Sequence, residues 1–133
     1  MINFAPMTNK QRKDLLKAQQ GELDAVPMYN ALAAVAKHER DKETFRQLAR
    51  EEGHHAAVFH AYTHEVLKPS MLKARLLPIL YKIVGRKILY PVIAKFEYDA
   101  ATGYEHLVPD FPEVASVRDD ETRHGDTVKA LLD

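Results

Sequence analysis

The sequence predicts an all-α chain folded as a four-helix bundle: two antiparallel helix hairpins joined by a long crossover that contains a short helix of its own. Three observations carry this expectation. Apolar residues recur in alternating steps of three and four along four long segments, the spacing of one buried helix face, and nothing alternates with the period of two that a strand requires. Short links join the segments within each half, whereas a long apolar link joins the halves. On every segment a charged residue takes a place that the apolar stripe reserves for the core. With 133 residues, the chain is expected to form a single domain over 1–133.

The first segment opens at Thr8-Asn9-Lys10-Gln11, a capping box, and is expected to run to about Lys37 along Leu15, Ala18, Glu22, Ala25, Tyr29, Leu32 and Ala36. Pro27, five residues past Glu22, removes one backbone donor and is expected to kink the helix there. Asp41 is the expected cap of the second helix, which carries Phe45, Leu48, Glu52, His55, Phe59, Tyr62 and Val66 before Lys68-Pro69 stops it near Leu67. The link from His38 to Asp41 is so short that the two helices must be antiparallel neighbours.

Residues 70–86 form the crossover, a short helix capped by Ser70, rich in leucine and isoleucine and broken by Gly85. The third long helix follows, with Pro91 expected near its first turn or at a kink. It carries Tyr90, Ile93, Glu97, Ala100, Tyr104 and Leu107 and ends before Val108-Pro109. Asp110-Phe111-Pro112-Glu113 is expected to start the fourth, with Val114, Val117, Glu121, His124, Val128 and Leu131 on its face.

Six residues thus stand where core residues belong: Glu22, Glu52, His55, Glu97, Glu121 and His124. Four of them form two Glu-x-x-His pairs, one in each half, and each half is a lone-glutamate helix followed by a Glu-x-x-His helix. This repetition is the pattern of an old duplication. An uncompensated buried carboxylate costs several kcal/mol, roughly, so opposite charge must be waiting. Four carboxylates and two imidazoles on four helices call for two divalent metal ions, because two such ions balance the four acids. Glu52 and Glu121 are expected to bridge the ions, Glu22 and His55 to complete one site, and Glu97 and His124 the other.

The overlapping pair Glu51 and His54 has the same spacing but falls out of phase with Phe45, Leu48 and Phe59, so it is set aside as a metal pair. His38, His60, His64 and His106 lie off the stripes or near helix ends and read as solvated or capping residues. Asp120 and Glu51 each precede a bridging glutamate and are expected to hold, from the opposite helix, His55 and His124 respectively. Tyr29 and Tyr104 lie on the core lines beside the six, where core packing is preferred over a hydrogen bond to a ligand carboxylate.

Composition narrows the function. With 46% apolar and 29% charged residues and no net charge, the chain reads as globular and offers no basic footprint for nucleic acid. Cysteine is absent, which rules out disulfides and a rubredoxin-type iron site, so reducing equivalents must come from an external electron donor. Met1-Ile2-Asn3-Phe4-Ala5-Pro6 has no signal-peptide form, and a cytoplasmic protein is the expectation.

The segments Leu16-Lys17-Ala18-Gln19-Gln20-Gly21-Glu22, Ala49-Arg50-Glu51-Glu52-Gly53-His54-His55, Phe96-Glu97-Tyr98-Asp99-Ala100 and Asp119-Asp120-Glu121-Thr122-Arg123-His124 resemble the rubrerythrin-like branch of the ferritin-like superfamily. The resemblance implies a di-iron carboxylate redox protein that reacts with peroxide or oxygen, in an oxidative-stress or iron-handling role. It also implies a departure: peroxide-reducing relatives carry a further glutamate where this chain has Ala100. Gly21-Glu22, Ala25, Tyr29 and Lys68-Pro69-Ser70 are more weakly similar to demethoxyubiquinone hydroxylases, which implies a membrane-surface hydroxylase as one alternative. A ferroxidase supplying iron storage or transport is the other. Iron is preferred to zinc for a hard oxygen and imidazole set, with manganese as the competing metal. The aliphatic crossover is expected to pack against the bundle or a second copy, giving a homodimer, in preference to membrane contact.

Overall fold

The computed structural model describes residues 6–133, so the reading of the first residues as lacking a leader falls mostly outside the described residues. Five α-helices follow in order: α1 (Asn9–Val35), α2 (Glu39–Thr63), α3 (Leu72–Val84), α4 (Arg86–Tyr104) and α5 (Val114–Ala130), with a 3-10 turn at Glu105–Leu107. No strand occurs among the described residues.

The start of α1 is the capping box read from the sequence: Thr8 Oγ1 accepts from the Gln11 backbone N–H at 3.0 Å, and Gln11 Oε1 accepts from the Thr8 N–H at 2.9 Å. The helix continues through Pro27 and stops at Val35, two residues before the expected Lys37. Asp41 is not the cap of α2. His38 occupies the N-cap without a side-chain bond, while Asp41, 1% exposed within the first turn, accepts a 2.7 Å hydrogen bond from the Tyr90 hydroxyl of α4. A buried partner on another helix outcompetes a local capping bond at that carboxylate.

The second helix also ends early, at Thr63, because His64 takes up a left-handed conformation with φ 57°. Gln19 of α1 ties the departing chain down, accepting from the Thr63 hydroxyl and donating to the Glu65 carbonyl. Ser70 sits one residue before the N-cap of α3, which is Met71, and its hydroxyl accepts from the Leu72 N–H at 3.3 Å. Gly85, with φ 78°, reverses the chain between α3 and α4, a conformation that glycine adopts without strain. Pro91 is the sixth residue of α4, deeper than the expected first turn, and lies on its exposed side. The fourth long helix begins at Val114 rather than at Asp110. Residues 108–113 are mostly turns, and Asp110 Oδ2 accepts from Gln11 Nε2 of α1 at 2.8 Å in place of capping.

The long helices alternate in direction. Leu15 of α1, Phe59 of α2, Leu107 and Val114 meet at one end of the bundle, whereas Leu32, Phe45, Tyr90 and Val128 meet at the other. The crossover helix α3 is not a loop filler. It runs beside α1, with Leu77 and Tyr81 buried and the Tyr81 hydroxyl accepting from the Lys37 N–H at 3.1 Å. Its outer side, Leu72, Leu76, Ile79 and Ile83, is exposed, and so are Ile88, Val92 and Phe96 of α4. Among the described residues, no helix is long and apolar enough to cross a membrane.

The apolar core is divided between those two ends, and the layer between them is polar. That layer holds the six charged residues.

Candidate metal centre

Glu22 comes from α1, Glu52 and His55 from α2, Glu97 from α4, and Glu121 and His124 from α5. Each is 5% exposed or less, as the phase of each stripe predicts. The i, i+3 spacing brings glutamate and histidine of one helix to the same face. His55 Nδ1 lies 3.1 Å from Glu52 Oε1, 3.0 Å from Glu121 Oε1 and 3.7 Å from Glu22 Oε1. His124 Nδ1 mirrors it, 3.1 Å from Glu52 Oε1, 3.4 Å from Glu121 Oε1 and 3.6 Å from Glu97 Oε2. Glu52 and Glu121 are therefore shared by both imidazoles, whereas Glu22 approaches only His55 and Glu97 only His124. The two rings stack with centroids 5.4 Å apart.

Whether this set suits metal ions is decided by its unpaired atoms. Glu52 Oε1, His55 Nδ1, Glu97 Oε2, Glu121 Oε1 and His124 Nδ1 are all buried without a hydrogen-bond partner, and they converge on one another. Each buried group left unsatisfied costs about 1–3 kcal/mol, and more when charged. Ligand atoms of Glu52, His55, Glu121 and His124 lie within 4.8 Å of one another, a group able to hold a metal ion. Oxygen and imidazole donors directed at a common point, with their lone pairs otherwise unused, fit divalent ions.

The electrostatics of the protein alone point the same way. Burial and the neighbouring Glu52 and Glu121 hold the Glu22 carboxyl well above the usual range, and burial pushes Glu97 up to about 7. Glu52 moves the other way: burial opposes its charge, but the proximity of His124 and His55 prevails. His124 is raised to about 12, the surrounding carboxylates overcoming burial, and His55 is raised likewise. The cluster stabilises positive charge at its centre, whether carried by protons or by metal.

The outer ring nitrogens also have partners. Asp120 Oδ2 lies 2.8 Å from His55 Nε2, and Glu51 Oε1 lies 3.1 Å from His124 Nε2. Both contacts run between α2 and α5, the pairing expected from the sequence. Arg123 also binds Glu51, whose carboxyl is held at about 2 by Arg123, Gln47 and His124 against the cost of burial. The preference for plain packing at the two tyrosines is overturned: the Tyr29 hydroxyl donates to Glu97 Oε1, and the Tyr104 hydroxyl donates to Glu22 Oε1 at 3.1 Å. A buried phenol needs an acceptor, and the carboxylates opposite were the ones in reach.

Of the other histidines, His38 and His64 sit at helix ends, His54 and His60 are exposed, and His106 pairs with Asp14 at the surface. None joins the cluster. One relevant residue escaped sequence reasoning. A cavity of about 130 Å³ reaches the carboxylates from the surface, lined among others by Ala25, Ile93, Phe96, Ala100 and the crossover residue Lys73. Only the packing of α3 beside α1 brings Lys73 there, and no spacing rule links it to the six.

The rubrerythrin family model matches residues 13–75. The match takes in most of α1 and all of α2, and with them Glu22, Glu52 and His55. No curated protein and no solved structure matches the chain.

Proposed function

We propose, from the premise that this chain is rubrerythrin-like, that it is a di-iron carboxylate redox protein that reacts with peroxide or oxygen. The single observation that carries the reading is the convergence of five buried, unpartnered donor atoms from Glu52, His55, Glu97, Glu121 and His124. Glu52 and Glu121 would bridge the two ions, Glu22 with His55 would complete one site, and Glu97 with His124 the other. Iron suits the donor set, with manganese as the competing ion. Held by these residues, a ferrous pair would supply the two electrons that, with two protons, take one peroxide to two waters.

The protein's own part is to fix that pair in a buried layer and to hold the ligands still. Tyr29 and Tyr104 each steady a carboxylate from the opposite hairpin, and Asp120 and Glu51 set the orientation of the two imidazoles. Ala100 lines the cavity where peroxide-reducing relatives carry a further glutamate, so the preference for peroxide over oxygen is expected to be weaker here. The 133 residues include no cysteine to build a rubredoxin-type centre, and the electrons are proposed to return from a donor outside this bundle.

Stopped-flow mixing of reduced, iron-loaded protein with peroxide and, separately, with oxygen tests the reading. Both are expected to oxidise the protein, with peroxide ahead by less than about a hundredfold, or 2.7 kcal/mol by the usual conversion. Oxidation no faster than that of free ferrous ion would overturn the redox role.

A further inference from the structure

We infer that the groove between α1 and α4 beside the metal layer binds a single-chain organic acid, and that the peroxide reduced at the centre is the hydroperoxide of such an acid. The inference rests on the redox reading above and deepens it by naming the substrate class.

Space is the first ground. The 130 Å³ cavity that reaches Glu22, Glu52, Glu97 and Glu121 opens beside a second of about 530 Å³, and the two share Lys73, Phe96, Ala100 and Tyr104 in their walls. A volume of roughly 150 Å³ holds one benzene ring, so the outer cavity takes a chain several times that bulk, within the usual range for organic ligands. Hydrogen peroxide needs none of this space. Buried Ala18 and Leu107 give the outer cavity an apolar floor, and Phe96, 58% exposed, gives it an apolar wall. Tyr104, whose hydroxyl donates to Glu22, stands where the two cavities join.

Charge is the second ground, and it gives the ligand a direction. The inner cavity carries four glutamates against Lys73 alone, so it repels an anionic group. Two ferrous ions would cancel that charge without reversing it. The outer cavity carries Lys17, Lys73, Asp14 and Asp99. Both of these acids are already engaged, Asp14 with Lys10 at 3.2 Å and His106 at 3.0 Å, and Asp99 with Lys95 at 2.7 Å. Lys17 and Lys73 have no acidic partner within salt-bridge distance among the described residues, which leaves two exposed ammonium groups beside an apolar groove. A carboxylate is held there, its chain lies along Leu107, Phe96 and Ala100, and the uncharged hydroperoxide end enters the inner cavity. The step balances: the O–O bond of ROOH breaks, two electrons from the ferrous pair and two protons enter, and ROH and one water leave.

Two measurements on the full chain test the groove, one of them without iron. The first is calorimetric titration of metal-free protein with dodecanoate below its micellar concentration. A saturable site is expected, binding at least about tenfold more tightly than dodecylamine, a cation of the same length. Lys17→Glu with Lys73→Glu is expected to weaken dodecanoate binding by about tenfold, less so as salt is added. Both lysines are exposed, so the double variant leaves the core intact. The second is the ratio of oxidation rates of reduced, iron-loaded protein by linoleic acid hydroperoxide and by hydrogen peroxide at equal concentration. The organic peroxide is expected to be at least as fast, and Gly103→Leu, whose added side chain begins in open space, is expected to lower the ratio about tenfold.

Equal binding of the two amphiphiles, or binding untouched by the double charge reversal, marks adsorption on exposed aliphatic side chains and overturns the groove. An organic peroxide rate more than about tenfold below that of hydrogen peroxide, or a ratio unmoved by Gly103→Leu, overturns the substrate class. Failure of the iron-loaded protein to react with any oxidant overturns the redox reading instead, and the dodecanoate titration then still decides whether the groove binds an organic acid.

Discussion

Asp120 Oδ2 lies 2.8 Å from Nε2 of His55, a contact that crosses from α5 to α2 and leaves Nδ1 as the only ring atom facing the carboxylates. A carboxylate in that position fixes the tautomer and strengthens the imidazole as a donor. Asp120→Asn keeps the shape and removes the charge, so metal affinity is expected to fall by about 10–100-fold in a competition titration. Unchanged affinity would mean that Asp120 merely caps a surface interaction with Arg123.

The tyrosine contacts predict a matched pair of effects. Tyr29→Phe leaves Glu97 without its neutral donor, and Tyr104→Phe does the same to Glu22. Each variant of the metal-loaded protein is expected to lose about 1–3 kcal/mol of stability to urea unfolding. Full stability in both would show that the hydroxyls add nothing beyond packing.

Metal-free protein should be less stable at pH 8 than at pH 5.5. The Glu97 carboxyl is raised from the usual 4.5 to about 7 by burial, and Glu22 moves the same way. Such a group favours folding while protonated, so its contribution is fully present below about 4.5 and is lost as pH rises through 7. His124, raised to about 12, contributes fully below 6.5 and loses ground only above it, which is the same sign. Glu51 and Glu52 are lowered, and their contributions fade only in acid below this window. Thermal unfolding of metal-free protein across pH 5.5–8 is the check, and a melting temperature that rises with pH would contradict it. Bound metal should flatten the dependence, because metal replaces the protons.

The exposed stripe of Leu76, Ile79 and Ile83 is the surface through which we propose that two copies associate. Leu80, by contrast, packs against the core. Ile79→Glu with Ile83→Glu, at the Gly85 end and away from the cavity, should raise the monomer fraction in sedimentation. A monomeric parent that instead pellets with anionic vesicles would give this face to a lipid surface.

How far the fold could be read in advance depended on the kind of signal. Phase along a helix is a global property of a long segment, so Glu22, Glu97 and the two Glu-x-x-His pairs were placed on buried faces correctly, and Glu51 was kept off the central cluster. Helix ends were less legible because they are settled by single competing bonds. Asp41 and Asp110 both look like caps, yet each finds a better partner on another helix, Tyr90 and Gln11. The position of Lys73 at the cavity mouth was beyond reach, since it depends on α3 lying beside α1 and not on any local pattern.

The central claim is that six buried side chains hold two ions, and metal content measures it most directly. Protein produced with ample iron should carry about two ions per chain, one for each imidazole and its glutamates. Glu52→Ala with His124→Ala should reduce this to one or none, while His54→Ala, exposed and off the stripe, should leave it unchanged. Parent protein holding no stoichiometric metal, or equal loss from both sets of variants, would contradict the account.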